Sequence, residues 1–168
     1  MLEIINNLAP FFEDCYRRIS VREYAKIIKV SPPTASKILM EYYKEGLLKR
    51  QEDRNYLFFF ANKENKVFIG LSKIYWMDRL KEVVEYIENK TVNPTIILFG
   101  SLSKAEVTPE SDIDIAIISS KKNISLEDYE KKLKRKIQVF WFDNLSKIPK
   151  ELKNNILNGY SLSGKVEI

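Results

Sequence analysis

The sequence contains no histidine and only one cysteine among its 168 residues. A Cys/His zinc site is therefore excluded, and the single thiol, Cys15, cannot form a disulfide within the chain. Any metal site must use oxygen ligands, which favours hard cations such as Mg²⁺. No apolar run approaches membrane length, and the start Met1-Leu2-Glu3-Ile4 is unlike a secretory leader, so we expect a cytoplasmic protein without a membrane partner.

The charges are only mildly unbalanced. The chain has 28 Lys and Arg residues against 23 Asp and Glu residues, a net charge of +5. This balance fits an anionic partner without requiring one. With 45% hydrophobic and 30% charged residues the composition is typical of a globular protein, and the length allows one ordinary domain or two small ones.

Three helices are predicted in the first 45 residues. Ser20 is the predicted N-cap of the second helix, with Glu23 at the capping-box position. Ser31 is the predicted N-cap of the third, Pro32 suits its first position, and Gly46 ends it. The predicted helices cover residues 2–14, 21–28 and 32–45.

After Gly46 the apolar residues recur with a period of two, which predicts strands over 47–50 and 56–60 joined by a turn over 51–55. Three helices followed by a hairpin is the element order of a winged helix-turn-helix. Residues 20–60 resemble that family through the Ser-Pro-x-Thr start of the third helix and the Gly-Leu-Leu-Lys-Arg sequence after it.

This resemblance implies binding to double-stranded DNA, with the third helix in the major groove. The residues expected to contact DNA are Ser31, Pro33, Thr34, Ser36 and Lys37 on the helix and Arg54 in the hairpin. Residues 1–65 hold 11 basic against 9 acidic side chains, fewer than a strongly basic DNA footprint has. We therefore expect modest affinity per protomer and a homodimer, while a dimerisation or protein-docking module is the alternative.

One long helix is predicted over 64–89, because apolar residues recur there at intervals of three and four. Its apolar stripe could pack on a sheet, join two domains rigidly or pair with a second copy. Tyr75 and Trp76 add apolar area that would suit an interface. The predicted domains are 1–62, the connecting helix 63–92, and 93–168.

Residues 95–118 predict a strand, a glycine turn and a second strand. The apolar run 96–99 stops at Gly100-Ser101, and Asp112 and Asp114 open the next run. Because successive side chains in a strand point to opposite faces, the two carboxylates share one face. An isolated Asp-x-Asp is usually a surface strand end. Two adjacent carboxylates nevertheless repel each other, so a Mg²⁺ ion between them would stabilise the pair.

The full register of this stretch resembles the signature of the minimal nucleotidyltransferases of the DNA polymerase beta superfamily. That signature reads Gly-Ser-x-Ala-Arg-Gly-Glu, a few residues, then Ser-Asp-x-Asp and an apolar strand. Here Gly100-Ser101 begins the pattern, Ser103, Lys104 and Ala105 replace Ala, Arg and Gly, and 111–114 completes it. The resemblance covers residues 95–160. We expect an α/β (α+β) protein, a winged helix-turn-helix followed by a small mixed-sheet nucleotidyltransferase fold, with later helices over 126–136 and 145–157.

The resemblance implies Mg²⁺ and a nucleoside triphosphate, ATP first. Asp112 and Asp114 would be the catalytic metal ligands, and Gly100, Ser101 and Lys104 would contact the phosphates. The third carboxylate of the family falls at Gln138, which could contact the nucleotide or coordinate through its amide but carries no charge.

Three functions remain open at this stage. The chain could transfer NMP from a Mg²⁺-NTP to a hydroxyl. It could be a DNA-binding regulator with a degenerate, nucleotide-sensing domain. The family resemblance also allows an antitoxin with a small helical toxin as its partner.

Overall fold

The computed structural model describes residues 2–165, and the chain divides into two compact units. The first unit runs to Tyr75 and includes Ala105–Pro109, and the second comprises Trp76–Lys104 and the residues from Glu110 onward. Each unit is taken by itself below. No helix among residues 2–165 is both long enough and apolar enough to cross a membrane.

The first unit combines helices with a small antiparallel sheet. Its helices are α1 (Glu3–Glu13), α2 (Val21–Ile28) and α3 (Pro32–Lys44), and α4 (Lys66–Arg79) begins in it. Its strands are β1 (Ile19–Ser20), β2 (Leu48–Asp53) and β3 (Tyr56–Ala61), in the order β1-β3-β2. The three helices predicted in the first 45 residues are confirmed, whereas the two-residue strand β1 was not predicted.

The predicted caps are present. Ser20 Oγ accepts a hydrogen bond from the Glu23 backbone N–H at 3.3 Å, and Ser31 Oγ accepts one from the Thr34 N–H at 3.4 Å. Gly46, just after α3, has a φ of 72°, a conformation that glycine adopts without strain. These local signals place α2 and α3 close to the predicted bounds.

The hairpin turn is shorter than predicted. Only Arg54 and Asn55 form it, with φ values of 47° and 65°, and β2 continues to Asp53. Two successive residues with positive φ give the tight turn whose twist suits antiparallel strands. The prediction of a turn over 51–55 was wrong because the polar, exposed end of β2 has the composition of a loop.

The predicted long helix over 64–89 is also wrong, since two helices, α4 and α5 (Lys81–Lys90), meet at Leu80. Leu80 has φ −94° and ψ −1°, which depart from ideal helical angles, although its N–H and C=O still bond Trp76 and Val84. The apolar spacing continues through this residue because the buried face is preserved, so periodicity cannot reveal the break. Tyr75 and Trp76 are buried rather than free for an interface, whereas Ile74 is 49% exposed.

The second unit is built on a mixed sheet, as predicted, and this sheet has four strands. Its strands are β4 (Thr95–Phe99), β5 (Ile113–Ile118), β6 (Ile137–Phe142) and β7 (Tyr160–Ser163), in the order β6-β5-β4-β7. Strands β5 and β6 are parallel, and the other pairs are antiparallel. The remaining helices are α6 (Ser101–Lys104), α7 (Glu127–Leu133) and α8 (Lys150–Leu157).

Both of the later helices are shorter than predicted. Lys134, with a φ of 56°, ends α7. A 3₁₀ turn over Leu145–Lys147 and the extended Pro149 precede α8, because proline disfavours helical conformation in the residue before it.

The two sheet faces bury different residues. Ile113, Ile115 and Ile117 are fully buried on one face. On the other, a hydrophobic cluster places residues of the helical C-terminal segment against the strands: Ile97, Phe99, Ala116, Ile148 and Ile156. Asp114 shares this second face but lies at its end, where the strand register sets it beside Phe99 and Gln138.

Candidate active site

The site begins with the turn at Gly100, which directly follows β4. Gly100 has a φ of 71°, and a Cβ on it would lie 3.1 Å from Asp114 Cγ and closer still to Oδ2. The Asp114 carboxylate therefore packs directly on the Gly100 backbone. Glycine is required here both for its backbone conformation and for this close approach.

Asp112 and Asp114 lie at the start of β5, one just before the strand and one within it. They interact, because the charge of Asp112 is one of the causes that raise the pKa of Asp114. The larger cause of the raised pKa is burial, since Asp114 is half-buried where it meets Gly100. The predicted placement of two neighbouring carboxylates on one face is what the structure contains.

Gln138 joins the same group through strand pairing. It lies opposite Asp114 in the parallel register of β5 and β6, and its Nε2 donates a hydrogen bond of 2.5 Å to Asp112 Oδ2. A neutral amide thus occupies the position next to the two acids. Within the described part of the chain, no three Asp, Glu, Cys or His side chains lie close enough together to hold a metal ion, so no third carboxylate joins the acid pair there.

Two further side chains support the site, and sequence reasoning did not assign them. Arg135, only 9% exposed, donates to the backbone carbonyl of Ser111 at 2.8 Å and so holds the residue before Asp112. Ser103 Oγ donates to the Gly100 carbonyl at 2.8 Å. The sequence places Arg135 only within the predicted helix over 126–136. Its position directly before β6 was the sequence feature that could have indicated a structural role.

The other predicted phosphate ligands lie on α6. Ser101 is half-buried at the first position of this helix. Lys104 is exposed, and its Nζ donates to Asn155 Oδ1 in α8 at 3.4 Å. The structure therefore brings Gly100, Asp112, Asp114 and Gln138 together, while the Lys104 ammonium group is held toward α8.

The donor set fits one Mg²⁺ better than two. Asp112 and Asp114 supply two negative charges, and a cation between them would relieve the repulsion that contributes to the raised pKa of Asp114. Gln138 supplies only a neutral oxygen, and in this structure its amide N–H faces Asp112. The site therefore suits a hard divalent cation but lacks the third anion that a second ion would need.

The predicted DNA-contacting residues lie on the surface of the first unit. Ser36 is half-buried, and the others are exposed: Ser31, Pro33, Thr34, Lys37 and Arg54. The Ser31 and Thr34 hydroxyls are 2.8 Å apart, which occupies both side chains at the start of α3. Lys37 and Arg54 make no ion pair with any described residue, whereas Lys49 pairs with Glu64 at 2.8 Å.

Comparison with known proteins gives one match. The family model described as Polymerase beta, Nucleotidyltransferase matches residues 81–165, half of the chain. The matched residues begin with α5 and include β4 to β7. Neither the curated proteins nor the solved structures give a significant match.

Proposed function

We propose that this chain, which belongs to the polymerase beta nucleotidyltransferase family, transfers a nucleoside monophosphate from a Mg²⁺-bound triphosphate, ATP first, to a hydroxyl acceptor. One observation carries the proposal. The Asp114 carboxylate packs on the Gly100 backbone with Asp112 beside it, so a cation ligand and a phosphate-facing turn share one small site.

In this proposal the chain positions its reactants and supplies charge. Asp112 and Asp114 hold Mg²⁺, which when bound neutralises phosphate charge and favours ionisation of the attacking hydroxyl. Gly100 and Ser101 contact the phosphates through backbone N–H and hydroxyl groups. Lys104 contributes a point charge after leaving Asn155, without the two-pronged contact that arginine offers. Phosphoryl transfer needs little more than such positioning.

Gln138 limits the expected rate. Its amide cannot balance the charge of a second cation, and it cannot act as a base. By analogy with the removal of one transition-state donor, we expect transfer to be slower by about 10²- to 10³-fold than with a third carboxylate. The enzyme is therefore expected to be slow rather than inactive.

The test is incorporation of label from α-labelled NTPs with Mg²⁺ or Mn²⁺, using cell lysate or tRNA as acceptor. The matched variants are Asp112→Asn/Asp114→Asn and, as a control, Asp128→Asn, which neutralises an exposed carboxylate of α7. Label in wild type and in the control but not in the double variant supports transfer. Absence of both NTP binding and labelling at saturating Mg²⁺-NTP contradicts it.

The first unit is proposed to bind double-stranded DNA as a winged helix-turn-helix. The support is the capped helix α3 after α2, followed by the β2–β3 hairpin, with Lys37 and Arg54 exposed and without ion pairs among the described residues. Lys37→Glu/Arg54→Glu should abolish most duplex binding in a mobility-shift assay. Lys147→Glu, on the 3₁₀ turn of the second unit, is the charge-matched control for one substitution and should bind nearly as well as wild type.

A second candidate function is favoured by the Gln138–Asp112 hydrogen bond. A neutral amide on the acid pair allows NTP binding without efficient transfer, as expected of a nucleotide-sensing regulator or an antitoxin with a small helical toxin partner. Duplex affinity measured with and without Mg²⁺-NTP tests the sensing function, which unchanged affinity would contradict. Recovery of no small partner from native lysate would count against the antitoxin function.

A further inference from the structure

The two edges of the four-stranded sheet differ in how they are protected from pairing. Edge strands normally carry charges, bulges or proline, or are kept short. Strand β7 has four residues, two of them the polar Ser161 and Ser163, and its register shifts between Ile96 and Ile97. Strand β6, Ile-Gln-Val-Phe-Trp-Phe, has six residues with no charge, no proline and no register shift.

The outward backbone groups of β6 can be identified. The carbonyls of Lys136 and Phe142 accept hydrogen bonds from the Ile113 and Ser119 N–H groups, so the even-numbered residues of β6 face β5. The odd-numbered residues therefore point their N–H and C=O groups away from the sheet. Glu130 Oε1 accepts from the Ile137 N–H at 2.8 Å and occupies the first of these donors.

Val139 and Trp141 supply the remaining outward N–H groups of the strand. Within residues 2–165, β6 pairs only with β5, and neither residue makes a backbone bond on the outer side. Both residues are partly exposed, and with Ile137 they line an open groove of about 450 Å³. Such an edge is a template for another strand.

We infer that β6 pairs with β6 of a second copy, antiparallel across a two-fold axis, to form one continuous eight-stranded sheet. This inference does not depend on the proposed function. It names the surface of the expected homodimer, which had no assigned interface once Tyr75 and Trp76 proved to be buried.

The occupied Ile137 N–H selects the register. A two-fold axis at Val139 would place Ile137 opposite the partner's Trp141 within the strand and require this N–H, which Glu130 already holds, whereas an axis at Phe140 places Ile137 beyond the end of the partner strand. An axis at Trp141 would shorten the overlap. An axis at Phe140 places Val139 opposite the partner's Trp141 and lets them exchange both backbone hydrogen bonds, as directly opposed residues of an antiparallel pair do. A β-branched residue facing an aromatic one is also a favourable cross-strand pair.

Charge complementarity favours a second copy over an unrelated strand. In this register Asp143, just after β6, falls across from the partner's Ile137, at the groove that Lys121 and Lys122 also line. All three charged side chains are exposed and have no ion pair with any described residue. The pairing therefore brings one acidic residue of each copy toward two lysines of the other, twice by symmetry.

The first test is the mass of the full chain in sedimentation equilibrium over micromolar concentrations. We expect twice the mass of one chain. Val139→Pro removes an outward N–H without touching the bonds to β5, so it should raise the dimer dissociation constant about ten- to a hundredfold. Val139→Thr keeps the N–H and the side-chain shape and should remain dimeric. Circular dichroism establishes that both variants are folded.

A wild-type monomer at all concentrations, or a folded Val139→Pro variant that dimerises like wild type, would overturn the inference. Cysteine cross-linking tests the register, because directly opposed Cα atoms are about 5.5 Å apart and diagonal ones about 7–8 Å, near the limit for a disulfide. Val139→Cys/Trp141→Cys should give a covalent dimer, whereas Val139→Cys alone should not. The buried native Cys15 does not interfere. Cross-linking by the single variant would refute the register.

Discussion

Replacing Gly100 by alanine tests whether the close packing of Asp114 on the turn is what builds the site. A Cβ at this position would lie 3.1 Å from Asp114 Cγ and closer to Oδ2, so the carboxylate must move. The φ of 71° adds a second cost, because side chains other than glycine are disfavoured there. Both effects arise at the one residue that joins the turn to the acid pair.

The expected magnitude follows from these two terms. The left-handed conformation costs about 1–2 kcal/mol for a residue with a Cβ. Displacing a partly buried carboxylate by overpacking costs about 1–3 kcal/mol more. We therefore expect Gly100→Ala to lower the free energy of unfolding by about 2–5 kcal/mol and to weaken Mg²⁺-dependent ATP binding, since the same carboxylate is the proposed ligand.

Urea unfolding and calorimetric titration of Mg²⁺-ATP measure the two effects. Gly70→Ala is the matched control, since Gly70 lies within α4 and a Cβ there would meet no atom within 4 Å. Because alanine is the better helix former, this control should gain about 0.5–1 kcal/mol. Unchanged stability and ATP binding in Gly100→Ala would refute the proposed packing of Asp114 on the turn.

Two further predictions concern the groups around this turn. Burial and the charge of Asp112 raise the pKa of Asp114, so the folded state favours the protonated carboxyl. The stability that this protonation contributes is lost as the pH rises through the folded-state pKa. Asp114→Asn should therefore stabilise the metal-free protein at pH 7, but not at an acidic pH below the ordinary aspartate pKa. Urea unfolding at both pH values measures this difference, and an equal change in stability at both would contradict the prediction. Arg135→Met removes the hydrogen bond to the Ser111 carbonyl and should cost about 1.5–3 kcal/mol in the same assay. Lys134→Met, at an exposed neighbour, should cost much less.

The local architecture of the site was predictable because short-range rules determine it. Alternation along a strand places Asp112 and Asp114 together, and a glycine after an apolar run marks the turn. The caps at Ser20 and Ser31 likewise depend on residues only three positions away. Such features need no knowledge of the tertiary fold.

Features that depend on residues distant in the sequence were harder to predict. The resemblance placed Gln138 at the position where the family has its third carboxylate. Its hydrogen bond to Asp112, however, depends on the parallel register of β5 and β6. Arg135 is buried because of the packing around it, although its sequence neighbours are those of a solvated helix. The break at Leu80 changes one residue's backbone angles and leaves the apolar period intact.

The most direct test of the central claim is the initial rate of label transfer from α-labelled ATP by wild type, Asp112→Asn/Asp114→Asn and Gln138→Asp at saturating Mg²⁺. Gln138→Asp adds the third carboxylate and should raise the rate by about 10²- to 10³-fold, while the double variant should fall to background. The predicted order is Gln138→Asp, then wild type, then the double variant. Equal rates in wild type and the double variant would contradict a catalytic role for the acid pair.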